Sequence, residues 1–309
     1  MTGAGGYVGG CLVGVLRAQG QDVHGIVRDP APQLDIEQTV CDLATVDAQT
    51  LEAACRGAEV VVHLAGEDEV MAARQPAAAL ASTVVATERL VEAAHAAGVM
   101  RLIYMSTVHV YGERMAENAV LTEDLRPEPR STYAVSRLAS EHLAATFNSG
   151  ASELIVFRLT NSVGAPHHPG IDRWTLVAND LCRQGATSGH LRLRSSGMQW
   201  RDFVALADVC SIVAAASEGR SEPPPGTYNL GSGQPTTVRR LAEMIQDAFE
   251  RHSGIRPELH APDHEGRRPD PYRVSVERLA ERGLEARTPL AAAVEETVRF
   301  CLDHREVLP

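Results

Sequence analysis

The sequence predicts an α/β protein: a doubly wound parallel sheet with a smaller C-terminal lobe beside it. Three observations carry this. Short apolar runs alternate with runs of helical period through the first half of the chain, the order that builds such a sheet. A glycine-rich stretch, Thr2-Gly3-Ala4-Gly5-Gly6-Tyr7-Val8-Gly9, opens the first helix. Beyond Gly164 the pattern changes, with Pro166, Pro169 and Gly170 marking a boundary. The expected division is residues 1–164 and 165–309, with some later segments interleaved with the first unit.

The elements follow in order. A helix runs from about Gly6 to Gln19 and stops at Gly20. Val23–Val27 and Thr39–Cys41 read as short strands, with Pro30 and Pro32 breaking the chain between them. Asp47–Arg56 is helical, and Glu59–Leu64 is the apolar kind of strand buried in a parallel sheet. A long helix is expected over Ala77–Ala97, a strand over Leu102–Ser106, a loop over Glu113–Arg130, a helix over Thr132–Asn148 and a strand over Leu154–Leu159. The last helices are Val238–His252, Val276–Arg282 and Ala291–His304.

Gly3, Gly6 and Gly9 are spaced for a tight turn, a close approach of backbone to a pyrophosphate, and close packing of helix on sheet. The phosphates would sit on the free N–H groups of the helix N-terminus. The strand that should precede this loop is absent. In this sheet order it is central, and without it backbone groups lie unpaired in the core. The expectation is that Met1 is an artificial or misassigned start and that a short apolar strand belongs upstream.

Composition narrows the function. The net charge is −11 with no basic run, which argues against a nucleic-acid or anionic-membrane surface. No stretch approaches the ~20 apolar residues of a spanning helix. The six cysteines are scattered without a C-x-x-C pair, as expected of free thiols in a reducing cytoplasm. The chain has no lysine; all 29 basic residues are arginine. Lysine Schiff-base chemistry and a P-loop lysine are thereby excluded.

Tyr133 and Arg137 are four apart on an expected helix and share a face. A tyrosine moves a proton at neutral pH when a fixed cation lowers its reference pKa of about 10. Thr107, at a strand end, is placed to hydrogen-bond the reacting oxygen. The alternative is that Tyr133 is an ordinary aromatic at a helix N-terminus.

Taken in order, Thr2-Gly3-x-x-Gly6-x-x-Gly9, Asp42-Leu43, His63-Leu64-Ala65-Gly66, Ser106-Thr107, Val110-Tyr111-Gly112 and Tyr133-x-x-x-Arg137 resemble the extended short-chain dehydrogenase/reductase family. Arg158-Leu159-Thr160-Asn161, Arg201-Asp202-Phe203 and Tyr228-Asn229-Leu230-Gly231-Ser232-Gly233 are similar to its NAD-dependent epimerase/dehydratase, nucleotide-sugar-modifying branch. The resemblance implies a Rossmann-type domain binding NADP or NAD. It implies cofactor contacts from Gly3, Gly6, Tyr7, Val8, Arg28, Asp42, Leu43, Leu64, Ala65, Gly66, Ser106, Tyr133 and Arg137. Catalysis would fall to Tyr133, Thr107 and Arg137, and a nucleotide-sugar would be held by Thr107, Asn161, Arg201 and Arg267. A homodimer is implied, packed through the Ala77–Ala97 and Thr132–Asn148 helices.

Three departures sharpen the expectation. The family carries lysine where Arg137 stands, so Arg137 is either a working replacement or a sign of impaired proton relay. Dehydratases of the family carry an Asp-Glu pair where Val108 and His109 stand, which disfavours 4,6-dehydration. Arg28 ends the second strand, where an arginine accommodates a 2′-phosphate, although Asp29 beside it suits NAD. The preferred reading is keto-sugar reduction with Tyr133 as acid. The alternatives are an epimerase with retained NAD and a non-catalytic dinucleotide-binding or regulatory protein. His167-His168 and His260-x-x-x-His264 read as proline-flanked loops without accompanying Cys or carboxylate geometry, and no metal is expected.

Overall fold

The computed structural model describes residues 1–218, 223–264 and 266–309. Helix α1 (Tyr7–Ala18) follows the glycine turn, and β1 (Gly25–Val27), β2 (Gln38–Val40), α2 (Ala48–Cys55) and β3 (Val60–His63) come next. The long helix expected over Ala77–Ala97 is present, helical from Pro76 to Ala96 with one π turn inside it. Short α3 (Glu69–Arg74) and α4 (Pro76–Leu80) lead through a π turn at Ala81–Val85 into α5 (Ala86–Ala96). Pro76 starts α4 at a position where its missing N–H costs nothing. Then follow β4 (Arg101–Thr107), β5 (Val120–Leu121), α6 (Thr132–Ala145) and β6 (Glu153–Leu159). The loop expected over Glu113–Arg130 thus holds a short strand.

β3 and β4, β4 and β6, and β1 and β2 pair in parallel. β4 and most of β6 are buried, which explains their apolar middles, Leu102–Met105 and Leu154–Phe157. One core lies between the sheet and α1; a second lies on the opposite face under α2, α5 and α6.

Beyond β6 come β7 (Asn161–Val163), α7 (Val177–Ser188), β8 (His190–Arg192), β9 (Trp200–Ala205) and α8 (Leu206–Ser217). β10 (Gly226–Leu230), β11 (Pro235–Thr237), α9 (Val238–Ser253), β12 (Glu258–His260), β13 (Arg273–Val274), α10 (Glu277–Ala280) and α11 (Leu290–Asp303) complete the chain. β10 joins the main sheet beside β6, and α8 packs on α1. A separate core gathers α7, α9 and α11 around β9. The active cleft lies where the ends of β3, β4, β6 and β7 face the loop between β7 and α7.

β1 and β3 do not close on each other. Thr2 alone bridges them, parallel to Ile26 on one side and His63 on the other. Thr2 N donates to Val62 O at 3.0 Å, and Gly3 N donates to Ile26 O at 3.1 Å. Below Thr2 an open slot of about 610 Å³ runs between Val23–Ile26 and Val60–Val62. The second strand begins at Gly25 rather than Val23, and Met1 N donates to His24 O at 2.6 Å just before it.

Candidate active site

α1 begins at Gly6 with no side-chain cap, so its first N–H groups are free to meet an anion. Gly3 takes φ +66°, and a Cβ there would come 2.9 Å from Ala65 N. A Cβ on Gly9 would fall 2.2 Å from Gly3 O, so only glycine lets the helix sit on its own turn. Gly6 and Val8 line a cleft of about 810 Å³. Tyr7 lines it as well, but its side chain is committed elsewhere. Its hydroxyl donates to Gly164 O at 2.8 Å, and burial pushes its pKa up. Tyr7 therefore offers a ligand its backbone and not its phenol.

A second pocket of about 410 Å³ shares Gly3, Gly5 and Gly6 with the first, and extends to Asp42, Leu43, Leu64 and Ala65. One oxygen of Asp42 already accepts from Ala44 N at 2.8 Å. Arg28 pairs with Glu67 at 3.0 Å and with Asp29 at 3.7 Å, and remains 68 % exposed.

At the other end, Ser131 caps α6 by accepting from Ala134 N, which sets Tyr133 in the helix's first turn beside the cleft. Arg137 sits one turn on, its guanidinium carbon 5.5 Å from the Tyr133 ring centroid. Arg137 is buried. Its Nη1 donates to Met105 O at 3.3 Å and Ala65 O at 3.5 Å, and its Nη2 to Glu67 O at 3.5 Å. Burial works to lower its pKa, and the Tyr104 and Tyr133 oxygens outweigh that and hold it charged. Its Nε has no partner. Gly66, at φ +144°, lies against this guanidinium; a Cβ there would approach Nη2 to 2.9 Å.

Thr107 is buried and accepts from His109 N at 3.2 Å. Its hydroxyl proton is left for another acceptor. Ser106 lines the cleft, but its hydroxyl donates to Glu141. Glu141 in turn holds Arg158 through bonds of 3.1 and 2.7 Å. That buried cluster uses Ser106 as an internal strut.

The expected substrate residues separate. Asn161 lines the cleft, with its amide donating to Asp202 O at 2.9 Å. Arg201 donates to Trp200 O at 2.8 Å, and its charge acts on His109 and Tyr272. Arg267 lines neither pocket. It points outward, 68 % exposed, and pairs with Glu117 and, at 3.0 Å, with Asp270. His109 and Thr160 from the quoted motifs also line the cleft, with Glu67 and Arg173, which sequence reasoning passed over. Arg173 bridges the cleft edge to Asp68 at 3.1 Å and Glu69 at 3.0 Å. Glu67 directly follows the Gly66 motif, and that adjacency was the one signal in the sequence.

An uncapped helix N-terminus, glycines whose Cβ atoms would clash, and a buried guanidinium with a spare N–H fit a dinucleotide laid from Asp42 to Tyr133. Fold and cleft define a Rossmann-type dinucleotide-binding protein. The profile of the NAD dependent epimerase/dehydratase family matches residues 1–231. The chain belongs to that family, within the extended short-chain dehydrogenases/reductases. It is 32 % identical over 285 residues to dTDP-6-deoxy-L-talose 4-dehydrogenase (NAD(P)(+)) of Kitasatospora kifunensis, covering 86 % of this chain and 83 % of that one. Among solved structures it resembles MoeE5 in complex with UDP-glucose and NAD, with TM-score 0.79 and 27 % identity over 97 % of this chain and 96 % of the other. It also resembles RMD from Pseudomonas aeruginosa complexed with NADPH, with TM-score 0.79 and 25 % identity over 98 % and 97 %. Its relatives are NAD(P)-dependent nucleotide-sugar reductases, epimerases and dehydratases.

Proposed function

We propose that the chain reduces the keto group of a nucleotide-activated sugar with NADPH or NADH, and that the substrate class is a 4-keto-6-deoxyhexose. The observation that carries this is Tyr133 stacked one turn before the buried Arg137 cation, in the same cleft as the glycine cradle. The dinucleotide supplies the hydride. Thr107 donates its hydroxyl to the sugar carbonyl and orients it. Tyr133 delivers the proton to the oxygen as the carbon is reduced. The fixed charge of Arg137 steadies the phenolate that remains, which regains its proton from solvent.

Positions 108 and 109 support reduction over dehydration. Val108 is buried, and the His109 ring stands edge-on to Tyr133 with centroids 6.2 Å apart. Neither is a carboxylic acid able to protonate a departing hydroxyl. The dehydrogenase name of the Kitasatospora relative supports redox chemistry at a single sugar carbon.

We further propose a homodimer through α4, α5 and α6. Leu80, Val85 and Val135 are exposed at 39, 38 and 45 % on and beside those helices. Val135→Glu is expected to convert the dimer to a monomer by light scattering; a monomeric parent overturns the proposal.

The test is a panel of dTDP- and UDP-linked 4-keto sugars assayed for loss of NADPH absorbance. Stoichiometric loss with formation of the carbinol is expected. Sugar inversion without net dinucleotide consumption would make the protein an epimerase. No turnover by the parent or by Arg137→Lys would make it a binding protein.

A further inference from the structure

Away from the cleft, β8 and β12 form a small parallel sheet, with His190 opposite Glu258 and His260 opposite Arg192. Alternate residues of a strand share a face, so Glu258 and His260 point the same way and His190 meets them across the ladder. Three ligand atoms converge. Glu258 Oε2 lies 3.7 Å from His190 Nδ1 and 3.4 Å from His260 Nε2. The two ring nitrogens are 3.4 Å apart. Among the described residues no other group of three His, Cys, Asp or Glu ligand atoms converges in this way.

The spacing distinguishes an ion site from a hydrogen-bonded cluster. Good N–H···O and N–H···N bonds measure about 2.7–3.2 Å, and all three separations exceed that. Tetrahedral coordination with metal–ligand bonds of about 2.0–2.1 Å places ligand atoms about 3.3–3.4 Å apart. The triangle of 3.4, 3.4 and 3.7 Å is close to one face of such a tetrahedron.

We propose that His190, Glu258 and His260 bind a zinc ion, with water in the fourth position. Two imidazoles and one carboxylate are ligands that suit this ion. Bound there, zinc clips the strand that follows α7 to the strand that follows α9. Arg192 shares the face and opposes the ion's charge, which keeps the affinity modest. Among the described residues the other histidine pairs lack a third ligand. His264 contacts Ser196 Oγ at 3.4 Å and Arg267 O at 3.2 Å, and the His167 and His168 rings lie 6.2 Å apart.

The test uses the protein without a polyhistidine tag, stripped with chelator and titrated with Zn²⁺ by calorimetry and with Co²⁺ by visible absorption. One equivalent is expected, with the intense d–d bands of tetrahedral Co²⁺. His190→Ala, His260→Ala and Glu258→Gln are each expected to weaken binding at least tenfold. They should also abolish the rise in Tm that zinc produces in the parent. His167→Ala should bind as the parent does. All three ligand residues are exposed, so the metal-free variants are expected to melt with the parent. The proposal is overturned if the parent takes up no stoichiometric metal. It is equally overturned if His190→Ala and His260→Ala bind as the parent does, or if His167→Ala is the variant that fails.

Discussion

The cleft holds a cation at each end, and the two are held differently. Arg137, at the Tyr133 end, is buried and fixed against three backbone carbonyls. Arg28, at the far end from Tyr133, is mostly exposed and rests in ion pairs with Glu67 and Asp29. A buried charge already in place needs no reorganisation when the substrate arrives. An exposed ion pair contributes about 0–1 kcal/mol and yields to a competing anion. Glu67 serves both ends, with its carbonyl accepting from Arg137 and its carboxylate holding Arg28. The comparison separates rigid chemistry from adjustable recognition.

The largest effect is expected at Tyr133. Tyr133→Phe removes the proton donor and is expected to lower kcat by about 10²–10⁴-fold, while dinucleotide affinity by fluorescence titration stays unchanged. Equal loss of both would make Tyr133 a binding residue. Next comes Arg137. Arg137→Met keeps much of the volume and removes the charge, and a fall in kcat of at least tenfold is expected, with Arg137→Lys retaining activity within tenfold of the parent. A fully active Arg137→Met would break the rigid half of the comparison.

The same charge reaches His63. His63 is buried, with its ring nitrogens 2.7 Å from Thr2 Oγ1 and 3.0 Å from Thr87 Oγ1. Burial, and then the charge of Arg137, lowers its pKa to about 3. Between the ordinary value of about 6.5 and about 3, the unfolded chain carries a proton that the folded chain lacks. Stability from this group is therefore complete above about pH 6.5 and falls as the pH drops. The loss is about 1.4 kcal/mol per unit, or about 2 kcal/mol by pH 5. Urea unfolding at pH 7 and pH 5 should show a loss in the parent that is smaller by about this amount in His63→Asn, the remainder coming from other histidines lowered by burial, such as His109.

The smallest effects belong to the adjustable end. Glu67→Gln frees Arg28 and is expected to raise the NADPH-to-NADH preference by about two- to fivefold, the scale of one exposed ion pair. Arg28→Ala should lower it by a similar factor. Dissociation constants for the two dinucleotides check both, and unchanged ratios would show that Arg28 does not meet the 2′-phosphate.

Much of this was legible in the sequence. β4 and β6 announce themselves as apolar runs because both faces of the sheet are covered. The glycine turn and the Tyr133–Arg137 spacing needed only local geometry. What stayed hidden depends on distant neighbours. Nothing in Arg267-Arg268-Pro269-Asp270 reveals that Glu117 waits to pair with Arg267. Nothing in Ser106-Thr107 reveals that Glu141 turns Ser106 inward while Thr107 stays available. His190 and His260 are 70 residues apart, and only the β8–β12 ladder joins them. The π turn at Ala81–Val85 widens one turn of a helix that composition reads as plain α-helix.

The central claim is that hydride moves once, from dinucleotide to sugar, with Tyr133 supplying the proton. The most direct measurement incubates the protein with a dTDP-4-keto-6-deoxyhexose and NADPH carrying deuterium at the transferable position, and follows the sugar by mass spectrometry. The account predicts one deuterium in each product carbinol and one NADP⁺ formed per sugar, with no label incorporated by Tyr133→Phe above its residual rate. Inverted or dehydrated sugar without net NADP⁺ would contradict it.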